Sequence, residues 1–185
     1  NMKVNAFFTL GASALIMASG AVNAETTAVE QATADAIWTG VIGGSVPSSN
    51  LIITGEAGGD IKPGTLYVNS DGTFTSSDVV LEARDYTPAV TLPTPADEVI
   101  GDRQPAATWT YMNSQVMIGG QVTKDATLVL SDAMSGTDLT KGTLNEVTGG
   151  YVQLTVSNGT EITDVPVEGE AQVIVQMAAS YDGSL

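Results

Sequence analysis

The chain has 185 residues, a net charge of −15, and neither cysteine nor histidine. So acidic a surface repels phosphate backbones and anionic lipid headgroups, which excludes nucleic acid and membrane as expected partners. The missing histidine excludes Ser–His and Cys–His nucleophile systems and the commonest metal ligand, and the missing cysteine leaves stability to packing or to another chain.

Asn1 precedes the Met2-Lys3 start and is read as lying outside the native sequence. Ala6 to Val22 is apolar or small, and Val22-Asn23-Ala24 has the small-x-small form of a signal-peptidase site. Residues 1–24 therefore read as a secretory signal, too short in its apolar part for a membrane span. The remaining residues suit one domain with a sizeable core. Glu25 to Ile37, ETTAVEQATADAI, is rich in helix formers but lacks a wide 3.6-residue apolar stripe. As an extended segment it carries Ala28, Ala32, Ala34 and Ala36 on one parity, interrupted by Glu30. The other parity holds Thr27, Val29, Gln31, Thr33 and Asp35.

Short strand patterns follow. They cover Ile37–Ile42, ending at Gly43-Gly44, then Ser49–Thr54, then Thr65–Val68. Asn69-Ser70-Asp71-Gly72 is a turn into Thr73–Thr75, and Asp78–Arg84 is the next strand. Prolines between Pro88 and Pro105 predict a loop or edge segment. Ala107–Val116, Gln121–Ser131 and Gly150–Val156 continue the series. Ser157-Asn158-Gly159-Thr160 predicts a type I′ hairpin, with Glu161–Val167 returning. The last strand begins after Gly169. Many short strands separated by Gly-rich turns predict an all-β sandwich with one buried and one wet face per sheet.

That last strand alternates through Ala171, Val173, Val175, Met177, Ala179 and Tyr181, with Gly169 twelve residues before Tyr181. The Gly, the alternating strand and the near-terminal Tyr resemble the C-terminal signature of chaperone–usher pilus subunits. Here the Tyr is followed by Asp182-Gly183-Ser184-Leu185. Ala36-Ile37-Trp38-Thr39-Gly40-Val41-Ile42 and the lack of cysteine resemble the colonisation-factor type of fimbrial pilin rather than the disulfide-bearing type 1 group.

The resemblance implies an immunoglobulin-like sandwich that is incomplete and is completed by a donor strand. Gly169, Val173, Val175, Met177 and Tyr181 would line or border the acceptor groove. Residues 25–36 would form the N-terminal donor extension, burying Ala28, Ala32, Ala34 and Ala36 in a neighbour, and residues 37–185 the pilin domain. Partners would be other copies of the subunit, a periplasmic chaperone, an outer-membrane usher and a host surface receptor, with export through the periplasm to a surface fimbria. The physics is general: an open groove bares apolar side chains and unpaired backbone, and a donated strand satisfies both. Four or five side chains at roughly 1.5 kcal/mol each or more approach ~10 kcal/mol before ordering costs.

Candidates for chemistry are sparse, and the expectation is no catalytic residue, no metal and no cofactor. Glu82 with Asp85, and Asp97, Glu98 and Asp102, are the nearest approach to paired glycosidase carboxylates. Asn69-x-Asp71-Gly72 has half the pattern of a calcium loop and is better explained as a turn. Asn158-Gly159-Thr160 is a glycosylation sequon that coincides with the predicted hairpin. Trp38, Trp109, Tyr67, Tyr111 and Tyr151 would stack on sugars if exposed, the basis of an alternative reading as a monomeric secreted carbohydrate-binding sandwich. Their strand positions favour packing instead.

Overall fold

A computed structural model describes residues 29–38, 45–91, 95–163 and 170–182. The signal segment, Ala28, Gly169 and most of the strand expected over 37–42 lie outside these residues, as does most of the expected return strand 161–167.

The described residues form two antiparallel sheets stacked as an immunoglobulin-like sandwich. The strands are β1 (Val29–Trp38), β2 (Ser45–Val46), β3 (Leu51–Thr54), β4 (Leu66–Val68), β5 (Phe74–Ser76), β6 (Val79–Thr87), β7 (Val99–Arg103) and β8 (Thr108–Ile118). They continue as β9 (Gln121–Val122), β10 (Leu128–Asp132), β11 (Thr137–Leu139), β12 (Val147–Thr148), β13 (Tyr151–Asn158) and β14 (Ala171–Asp182). One sheet runs β12-β8-β14-β1-β2, with β9 beside β8. In the other, β13 lies between β10, which pairs with β11, and a lane shared by β6 and β5. β3 and β7 border β6, and β4 borders β5.

The alternation seen in the sequence sets which side chains enter the core. β13 buries Val152, Leu154 and Val156, and β6 buries Val79, Leu81 and Ala83. These meet Val173, Val175 and Met177 of β14 and Trp109 of β8 across the interior. At this density, removing even one methylene is felt. Where β13 passes from β6 to β5, Ser76 Oγ accepts the Val156 N–H at 2.9 Å and bridges the break in backbone pairing.

Two expectations are modified. The predicted hairpin at Asn158 does not form in that shape. Both edges of β13 are already taken, Asn158 itself pairing with Leu128 on one side and Phe74 on the other. A returning strand would have no free edge, and residues 159–163 run on without strand structure. The Asn158 side chain is buried. Its amide donates to the Gly72 and Thr160 carbonyls, and its Oδ1 accepts from the Thr127 and Thr160 N–H groups. An amide so enclosed is no acceptor for a glycan in the folded chain. The proline-rich stretch contains an edge strand, β7, in its proline-free part, in keeping with the loop or edge segment expected there. The other modification is that β11 and β12 arise where no alternation is visible, because each is too short to carry a period. The turn at Asn69–Gly72 forms as expected: Gly72 has φ 80°, and Asp71 Oδ1 accepts from the Thr73 N–H at 3.0 Å.

The seam between the first and last strands

β14 is the most extensively paired strand of its sheet. On one edge it pairs with β8 from Ala171↔Ile118 to Ser180↔Thr108, with a bulge on the β8 side near Met112. On the other it pairs with β1 over ten residues, from Val29↔Asp182 to Trp38↔Val173. Residues 29–36 of the segment expected to serve as donor are therefore seated in this chain's own sheet, continuous with Ile37 and Trp38. They fill the lane between β14 and the two-residue β2.

The inward parity of β1 is the alanine one. Ala32, Ala34, Ala36 and Trp38 are buried, beside Ala179, Met177, Val175 and Val173. The alanines contribute little apolar area, about 0.8 kcal/mol per methyl-sized group. Trp38 and the backbone ladder carry the hold. Trp38 Nε1 donates to the Ser77 carbonyl at 2.8 Å, the Gly64 N–H donates to the Ile37 carbonyl at 2.9 Å, and a parallel bridge joins Trp38 to Gly64. This corner ties β1 to the facing sheet.

The other end of β1 is polar. The Glu30 carboxylate accepts from Ser49 Oγ at 3.1 and 3.0 Å and from Asn50 Nδ2 at 3.3 Å. The donors of this turn, Ser48 foremost, hold the Glu30 carboxyl below its usual range against a smaller opposing effect of desolvation. Tyr181, the cross-strand partner of Glu30, is half-buried. Burial first, and the nearby carboxylates of Asp85 and Glu30 after it, push its phenol above the ordinary value.

The residues singled out for other chemistry do not converge. Asp85 lies at the rim near Tyr181, whereas Glu82 is buried beneath Arg84 on the outer face of β6. The Glu82 carboxylate meets Arg84 Nε at 2.7 Å, Arg103 Nε at 3.8 Å and the Gly58 N–H at 3.3 Å. It thereby pins β7 and the short 3-10 turn Glu56–Gly58 to β6. Its cover comes from Arg84, two residues on, and from Arg103, far along the chain, so Glu82 does not pair with Asp85. Glu98 accepts from Tyr86, and Asp85 from Gln104. Among the described residues no group of three or more acidic side chains is placed to hold a metal, and no helix is long and apolar enough to cross a membrane. Of the aromatic residues, Trp38, Trp109 and Tyr111 are inside, Tyr151 lies under Arg103 with 5.9 Å from the guanidinium carbon to the ring centre, and Tyr67 is 59% exposed.

No protein-family model, no curated protein and no solved structure matches the chain.

Proposed function

We propose that the chain is a structural fimbrial subunit, exported through the periplasm, that polymerises by donor-strand complementation into a surface fibre used in adhesion. The observation that carries this reading is the β1–β14 seam. One N-terminal strand with small inward side chains fills a ten-residue lane beside the last strand. Without β1 the lane would bare Val173, Val175 and Met177 and an unpaired backbone edge, the condition that a chaperone strand or a second copy's β1 relieves. Partners in this reading are further copies, a periplasmic chaperone, an outer-membrane usher and a host receptor. The acidic surface keeps the fibre soluble.

The experiment uses the facing pair Gln31↔Ser180 on the outer side of the seam. Chains carrying Gln31→Cys are mixed with chains carrying Ser180→Cys under mild oxidation, after the seam is opened with denaturant and closed again. Covalent heterodimers are expected, and the double variant should give ladders. Strictly intrachain cross-linking of the double variant, with no heterodimer from the mixed singles, overturns the proposal.

A second reading has one observation in its favour: β14 is paired on both edges within one chain, as in a self-contained sandwich. It is the carbohydrate-binding module. The burial of both tryptophans removes the strongest stacking platforms from its surface.

A further inference from the structure

The inward parity of β1 reads Glu30, Ala32, Ala34, Ala36 and Trp38. An alanine repeat is nearly degenerate with respect to a slide of two residues, which preserves parity. In such a slide Ala34 would face Val175, where Ala36 now sits, and Ala32 would face Met177. The alanines alone do not oppose it. The two residues that bracket them do. Trp38 would leave the slot at Gly64 and Ser77, and Glu30 would be carried to the fully buried place of Ala32, opposite Ala179. An unpaired carboxylate buried there is strongly disfavoured.

In the observed register Glu30 instead lands at the rim, where the turn before β3 meets it with two side-chain donors, Ser49 Oγ and Asn50 Nδ2. On the far side of β1, backbone pairing to β2 reaches only Thr33 and Ala34. Among the described residues the N-terminal end of the strand therefore has no ladder on that edge, and the glutamate provides its attachment.

We infer that the Ser49–Asn50 turn is a carboxylate-reading notch, and that Glu30 is the positioning residue by which a strand entering the last lane is held and set in register. The ligand is a glutamate side chain on an extended strand with alanines at the second, fourth and sixth residues after it. In the closed chain that strand is β1 itself. Under the polymer reading it is β1 of a second copy, and the same notch selects for strands that carry an acid at this place. The inference rests on the seam geometry and holds whether the strand comes from the same chain or another.

The test is amide hydrogen exchange across residues 30–33 in the full chain, with thermal melting as a check that each variant folds. Glu30→Ala is expected to raise exchange there about five-fold, the scale of one modest polar attachment at a partly exposed site. Ser49→Ala with Asn50→Ala should also raise it, by no more than Glu30→Ala because the Ser48 hydroxyl remains, and the triple variant should match Glu30→Ala, since all three act on one carboxylate. Glu30→Gln, which keeps one carbonyl acceptor, should restore part of the protection. Unchanged exchange in Glu30→Ala, or additive effects in the triple variant, overturns the inference. Coupling between the two sites in a chain that never exchanges strands would sustain the notch and remove the polymer reading.

Discussion

Gly64→Ala should loosen the corner on which β1 depends. A Cβ at this position would lie 2.3 Å from Trp38 Cδ1, 2.5 Å from Trp38 Nε1 and 3.0 Å from Val79 Cγ2. An indole ring has no flexible end to bend away, so either the ring or the Gly64 backbone must move. Moving the ring breaks the Nε1 bond to the Ser77 carbonyl, and moving the backbone breaks the Gly64 N–H bond to Ile37. Overpacking costs about 1–3 kcal/mol, and one lost hydrogen bond about 1 kcal/mol. Their sum, about 2–4 kcal/mol, corresponds to a fall in melting temperature of roughly 5–15 °C for a chain of this size. Thermal melting by far-UV circular dichroism measures it. Tryptophan emission, which should shift to the red as Trp38 gains water, locates it. The control is a cycle with Trp38→Leu: once the indole is absent, adding Gly64→Ala should cost little. A melting temperature within about 1 °C of the parent, or an equal cost of Gly64→Ala in both backgrounds, would refute the claim that this glycine exists to admit the tryptophan.

Two further outcomes follow from groups at the core boundary. Because Tyr181 titrates above its unfolded value of about 10, the folded chain holds its phenolic proton longer than the unfolded chain. That stabilisation is complete below pH ~10 and is lost as pH rises through the raised value. Urea midpoints taken from pH 8 to 11 should therefore decline, and Tyr181→Phe should shallow the decline above pH ~10; an identical decline in both proteins counts against the assignment. Asp132, 2% exposed, accepts from the Met134, Ser135 and Gln153 N–H groups and from Ser135 Oγ at 2.6 Å. Asp132→Ala leaves buried donors unpaired and should cost about 2–4 kcal/mol in urea unfolding, while Asp132→Asn, which keeps one acceptor, should cost less; equal costs would point to packing rather than hydrogen bonding.

Much of the molecule was legible in local pattern. Alternation in β14 was enough to pick out Val173, Val175 and Met177 as its apolar face, and all three are buried, because a strand's side chains change face with a period of two whatever it pairs with. The same rule identified Ala32, Ala34 and Ala36 as one face of the N-terminal segment, and Asn69–Gly72 as a turn. Pairing partners were not legible in this way. Asn158-Gly159 has the chemistry of a tight hairpin, yet β10 and β5 already occupy the two edges such a hairpin would need. Glu82 reads as an outward-facing acid on a strand, and it is one, but Arg84 closes over it and Arg103 reaches across from β7 to join them.

For this protein, then, composition and periodicity determine that the chain forms strands, which side of each strand is apolar, and that the first strand presents alanines. Tertiary structure alone decides that this first strand lies in the lane beside the last one, with Trp38 locked against Gly64 at one end and Glu30 held by Ser49 and Asn50 at the other. The reason is physical. Facing is a property of a strand's own backbone, whereas occupancy of a sheet edge is a competition among segments far apart in sequence, settled by which one satisfies the most backbone groups with the least steric and electrostatic cost.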